Sequence, residues 1–265
     1  KNTTSTANMF KNSKAGSIDL SKATFENVTD ASYMFTNSQA STIDFTNTNF
    51  KEVENAKSMF ENAKISSLDL KHVKFDKVKD FSNFFKNTTA LTEANLSSIK
   101  FTSAEDLSSM FAYSRVENLT LNPQDMDGTH ITNMASMFEE CYIKEVGLGR
   151  IRTGELTDTK SMFKGAYYLE KITLPQVFNT SKVTDFSNMF AGLYSLTEIN
   201  NIDKLDTTSA LDMNHIFVTF GVPIDTITPL LKATHVTDLS YMFYDARIRN
   251  TVTFSPLFDT SHVTT

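Results

Sequence analysis

Residues 183–193 read Val-Thr-Asp-Phe-Ser-Asn-Met-Phe-Ala-Gly-Leu. The same order of apolar and polar side chains returns at 28–35, Val-Thr-Asp-Ala-Ser-Tyr-Met-Phe, and at 236–243, Val-Thr-Asp-Leu-Ser-Tyr-Met-Phe. Working outward, Met-Phe or a close variant ends at Phe10, Phe35, Phe60, Phe85, Phe111, Phe138, Phe163, Phe190, Phe217 and Phe243, always 25 to 27 residues apart. A period of this length is the mark of a repeat architecture, in which one unit cannot bury its apolar face alone and stacked units can. The marks predict a single repeat array over residues 1–265, cut mid-repeat at both ends.

Within one unit, Val183, Phe186, Phe190 and Leu193 are spaced by three, four and three, which predicts a short helix of about two turns with Thr184 or Asp185 as its N-cap. The pattern then becomes L-x-x-I-x-L, as in Leu169, Ile172, Leu174 or Ile65, Leu68, Leu70, and its alternation predicts a short strand. A further apolar residue follows (Phe25, Phe50, Phe75, Phe101, Phe178, Phe258), then a polar turn such as Asn179-Thr180-Ser181. The expected fold is an α/β repeat solenoid with one short parallel β-strand and one short helix per coil, about ten coils bent into an arc. Irregular coils are expected around Asn200, Asn201, Pro223 and Pro229.

Composition supports a folded chain with a biased surface. Hydrophobic residues are 40% and charged ones 21%, while Ser 26, Thr 35 and Asn 21 together make up close to a third of the 265 residues. The net charge of −6 opposes the phosphate attraction that non-specific nucleic-acid binding needs, and equally an anionic membrane surface. Cys141 is the only cysteine, so an intramolecular disulfide framework is impossible. No run approaches the ~18 apolar residues of a membrane-spanning helix.

The succession V-T-D-x-S-x-M-F, L-x-x-I-x-L and F-D-T-S, seen at 28–35, 183–190 and 236–243, at Ile18-Asp19-Leu20 and Leu68-Asp69-Leu70, and at Phe258-Asp259-Thr260-Ser261, resembles the BspA-like bacterial surface-protein repeat of about 26 residues. The resemblance covers essentially the whole chain and implies a leucine-rich-repeat-like arc. It also implies an extracellular place on a bacterial surface, with signal and anchor outside this chain, and adhesion to a host protein, mucin or glycan.

Four residues after the Phe mark stand Lys14, Gln39, Lys64, Thr89, Arg115 and Arg247, so that row should face solvent. In three successive coils it holds Tyr142, Tyr167 and Tyr194, with Tyr168 beside them. Exposed tyrosines offer rigid, amphipathic contact area at small entropic cost, and these four are the candidate ligand-binding residues. Asp19, Asp44 and Asp69 form a second candidate row on the strand face, open to a cation or basic partner but more simply a solvated, hydrogen-bonded ladder. His130, His235 and His262 share one turn position and read as exposed turn residues. Asp125-Met126-Asp127-Gly128 resembles a calcium loop only in its opening, and Cys141 occupies a small-residue packing position.

No nucleophile elbow, phosphate loop or recurrent His–carboxylate pairing is present. Together with the resemblance, which implies adhesion, this makes the expected function a non-enzymatic adhesin-type binding module that uses no metal or cofactor. Its expected partner is a host extracellular matrix protein, a mucin or a glycan, with no nucleic-acid or membrane contact by this chain and its oligomeric state open. The alternatives are a spacer with no ligand of its own and a carbohydrate-active β-solenoid.

Overall fold

A computed structural model describes residues 3–121 and 130–264. The chain forms a parallel β-solenoid that carries, among the described residues, seven short strands: β1 Ser17–Asp19, β2 Thr42–Asp44, β3 Glu93–Leu96, β4 Asn118–Leu121, β5 Glu145–Gly147, β6 Lys171–Thr173 and β7 Glu198–Asn200. They pair in parallel as β1-β2, β3-β4 and β5-β6-β7. In β5 and β6 the inward residues Val146 and Ile172 face each other in register, and Ile172 does the same with Ile199 of β7. The alternation read in L-x-x-I-x-L is thus a strand that buries its middle side chain, as in β1, β2 and β5.

The expected helix does not form: among the described residues there is no α-helix, only three single-turn 3-10 segments at Ile202–Lys204, Ile224–Thr226 and Thr228–Leu230. In its place stands a ladder of alternating turns. In residues 31–38 the N–H groups of Ala31, Tyr33, Phe35 and Asn37 donate to the carbonyls of Asn55, Lys57, Met59 and Glu61 in the next coil at 2.8–2.9 Å. Those of Met34, Thr36 and Ser38 donate three residues back, to Ala31, Tyr33 and Phe35, at 3.0–3.3 Å. The remaining N–H, that of Ser32, donates to the Asp30 side chain at 3.0 Å. The carbonyls of Asp30, Ser32, Met34 and Thr36 meanwhile accept from Thr6, Asn8, Phe10 and Asn12 of the preceding coil. Every N–H of the segment is therefore satisfied, half within the coil and half between coils.

The ladder requires left-handed residues two before and two after each Phe mark, such as Tyr33 (φ 57°) and Asn37 (φ 58°). Each costs about 1–2 kcal/mol for an ordinary side chain and less for Asn or Gly, which explains Asn12, Asn37, Asn62, Asn87, Gly165 and Gly192 in the later of these columns. The helical reading failed for a definable reason. Asp30, Asn55, Asp80, Asp106 and Asp185 each accept the N–H two residues on, the same chemistry as an N-cap, but here it opens a turn. The turn ladder also turns Ala31, Met34, Phe35 and Ser38 inward, imitating a three-and-four period, so that in 31–38 only Tyr33 and Asn37 escape burial.

The core is one continuous cluster. All ten Phe marks stack ring on ring, from Phe10–Phe35 at 5.5 Å through Phe111–Phe138 at 5.6 Å to Phe217–Phe243 at 6.1 Å. A second column runs Phe25, Phe50, Phe75. Counted by regular strands the solenoid has about seven turns, fewer than the ten coils the marks suggest. Near Ser67 the strand shrinks to an isolated bridge with Thr42, and beyond Asn200 the 3-10 turns, with Pro223 and Pro229 unable to donate, replace it. Ion pairs between coils, such as Lys79–Glu54 at 2.9 Å and Lys144–Glu117 at 3.0 Å, line the outside; being exposed and screened by solvent, they add little to stability.

Candidate ligand-binding surface

Of the four tyrosines, Tyr167 (45%), Tyr168 (48%) and Tyr194 (59%) are exposed, and Tyr142 is half-buried. They do not form one straight row. Tyr142 stacks on Tyr168 with centroids 4.7 Å apart, and Tyr167 stacks on Tyr194 at 5.8 Å. The cause is one extra residue between mark and strand in the coils of Phe163 and Phe190. Counted back from the paired strand residues Val146 and Ile172, Tyr142 and Tyr168 are equivalent. The extra residue is absorbed where the Tyr167 N–H donates to the Gly165 carbonyl at 2.8 Å. The result is a double-width platform of two stacked pairs.

Three residues that support this platform were not singled out by the spacing of aromatic residues. The Arg115 guanidinium lies 5.2 Å from the Tyr142 ring centroid and covers its free side. Gly165 (φ +66°) and Gly192 (φ +77°) satisfy the left-handed column and leave room for the Tyr167 ring, whose atoms would lie 3.5 Å and 3.4 Å from a Cβ at those positions. The signal available in the sequence was the replacement of Asn by Gly in that column in the two coils that carry Tyr167 and Tyr194. A second aromatic group, Tyr241 stacked on His215 at 4.8 Å with Tyr244 beside it, spans two different columns and so leaves no single-position signal in the sequence.

The structure places the acidic row on adjoining coils: Asp19 and Asp44 are register partners in β1 and β2, and Asp44 and Asp69 line one cleft of about 390 Å³ with His72, Asn47 and Asn49. Each carboxylate is engaged locally, Asp19 by Ser21 N–H, Asp44 by Thr46 N–H and Asp69 by Lys71 N–H, at 2.8–2.9 Å. Among the described residues no group of three or more His, Cys, Asp or Glu side chains could hold a metal ion. His235 and His262 are exposed neighbours with ring centroids 6.0 Å apart, and His130 lies far from them in sequence on another exposed turn. Residues Asp125 to Gly128 lie outside the described residues. Cys141 is buried and its thiol is pushed up to about 12 by that burial, which keeps it protonated and suits a packing role.

The turn-capping carboxylates make stability depend on acid. The Ser21 hydroxyl and N–H hold Asp19 below its ordinary 3.8, the Thr208 hydroxyl and N–H do so for Asp206, and the Ser261 N–H and hydroxyl for Asp259. A carboxylate whose pKa is lower in the folded state stabilises fully above its unfolded value and loses that contribution as pH falls through the folded value. The urea midpoint is therefore expected to be flat between about pH 7 and pH 5 and to fall once the pH drops below about 4. Asp206→Asn should flatten part of that fall.

The stacked, in-register coils define a repeat-built β-solenoid whose variable outer positions are free to carry function. The family pattern described as "Mycoplasma protein of unknown function, DUF285" matches residues 4–123, 106–221 and 132–254. The chain belongs to this DUF285 family. Among solved structures, the crystal structure of a leucine-rich repeat protein from Bacteroides ovatus is similar at 12% identity, covering 88% of this chain and 75% of that one with a TM-score of 0.27. No match was found among curated proteins. No helix among the described residues is long and apolar enough to cross a membrane.

Proposed function

We propose that this chain is a non-enzymatic binding module of the BspA-like adhesin type, displayed on a bacterial cell surface, and that it recognises a host matrix protein, a mucin or a glycan through the tyrosine platform. The observation that carries this reading is the pre-stacked, largely exposed set Tyr142–Tyr168 and Tyr167–Tyr194 on the stacked coils. Tyrosine dominates protein contact surfaces because a large amphipathic ring with two rotatable bonds loses little entropy on binding. Stacking fixes these rings beforehand, so less ordering is left for the bound state. The core Phe columns are common to nearly all coils and serve as scaffold, whereas the clustered tyrosines are local, which favours a site over a spacer.

The test is saturable binding of the chain to immobilised mucin, fibronectin, collagen and a glycan panel, compared with a variant carrying Ala at 142, 167, 168 and 194. Because the platform is largely exposed, the variant should fold with an unchanged circular dichroism spectrum. Loss of at least about tenfold in affinity, the scale of removing two or more anchor residues, is expected. Unchanged binding would remove the platform from the site, and no binding by the parent chain to any surface would leave the spacer reading in its place.

A further inference from the structure

One rung of the outer column that holds Arg115 and Tyr142 has no side chain. The column is defined by its backbone: Arg115 donates to Thr88, Tyr142 to Ser114, Gly221 to Leu193 and Arg247 to Phe220, each N–H reaching the carbonyl of the preceding coil at 3.0–3.2 Å. Gly221 therefore stands in the coil between Tyr194 and Arg247. Beside it opens a cleft of about 360 Å³, lined by Tyr194, Thr219, Phe220, Gly221, Asp245 and Arg247, while the Cβ direction of Gly221 itself is closed by the carbonyls of Leu196 and Tyr194. Tyr167 stacks on the Tyr194 ring, and Tyr194 also lines this cleft. Across it, the exposed Arg247 guanidinium makes no ion pair among the described residues, and neither does Asp245.

The core rings of these coils step by 5.7 Å from Phe190 to Phe217 and 6.1 Å from Phe217 to Phe243, and two such steps admit one flat ring between Tyr194 and Arg247 within the roughly 4.5–7 Å of ordinary ring stacking. The molecule already shows the favoured contact one coil apart in the same column, where Arg115 covers Tyr142. We infer that the cleft at Gly221 is a slot for one aromatic side chain of a protein partner, sandwiched between the Tyr194 ring and the Arg247 guanidinium. An aromatic occupant is favoured over a sugar because the guanidinium wall stacks on a π face, which a pyranose lacks. Asp245 at the rim can accept the indole N–H of Trp or the hydroxyl of Tyr. The slot deepens the binding-module reading by naming the kind of group it takes.

The chain contains no Trp, so a Trp probe can be followed by its own fluorescence. N-acetyl-tryptophanamide titrated with the intact chain should show a saturable blue shift, with weak affinity on the order of millimolar, as befits a fragment. The shift should vanish with Tyr194→Ala, weaken at least about fivefold with Arg247→Ala, a scale set by one cation–π contact, and persist with Tyr33→Ala in a distant coil. No saturable shift, or equal shifts in the parent and Tyr194→Ala, would overturn the slot. Displacement of the probe by methyl β-galactopyranoside would overturn it too, by making the occupant a sugar. Loss of the slot with retained platform-dependent binding to the panel would leave the broader reading standing, and loss of panel binding alone would remove only that.

Discussion

Replacing Phe138 or Phe163 with Ala will cost roughly 3–5 kcal/mol of folding free energy, whereas Tyr167→Ala will cost under about 1 kcal/mol. Phe138 is 1% exposed and lies between Phe111 at 5.6 Å and Phe163 at 5.4 Å, with ring planes within 5° of parallel. Its neighbours are themselves held by the next rings of the column, so they cannot slide into the space left by truncation, and the cavity term adds to the lost transfer energy. Tyr167 is 45% exposed and loses one stacking partner. Chemical denaturation of the three variants checks this, and equal losses for Phe163→Ala and Tyr167→Ala would contradict the division into scaffold and surface.

Gly221→Ala is the second large effect. Its φ is not in the left-handed region, so the penalty is one of space: a Cβ there would meet the carbonyl oxygens of Leu196 at 2.5 Å and Tyr194 at 2.6 Å. Both are backbone atoms of the neighbouring coil, and neither can swing aside as a side chain would. A loss of more than about 2 kcal/mol is expected, by the measure of other overpacked sites. Gly16→Ala and Gly154→Ala, with nothing within 4 Å, should stay within about 0.5 kcal/mol of the parent. Comparable losses at all three positions would show that Gly221 acts through chain flexibility rather than close packing.

The repeat, the parallel strand and the buried columns were legible because apolar residues at fixed spacing report packing directly. The turn ladder was not, since Asp30 or Asp185 before an apolar three-and-four pattern is also how a helix begins. The distinguishing sign was present in Asn12, Asn37, Asn62 and Asn87, which recur two residues after the mark where a left-handed backbone is needed. For the platform, the tyrosines themselves were found, but counting from the Phe mark aligned Tyr142 with Tyr167. Counting from the strand would have aligned it with Tyr168, because the strand register, not the mark, fixes neighbours at that point of the coil. Arg247 and Gly221 gain meaning only from the tertiary stack, in which Gly221 lets two coils approach closely and Arg247 and Tyr194 come to line one cleft.

The ladder is what holds these outer columns in register, and the backbone angle at its left-handed positions tests it most directly. Three-bond amide coupling and carbon chemical shifts of the labelled chain report φ at Asn37, Asn62 and Asn87. The account predicts positive values, near the 58°, 57° and 56° of the structure. Values near the −63° of an α-helix would restore the helical coil and contradict it.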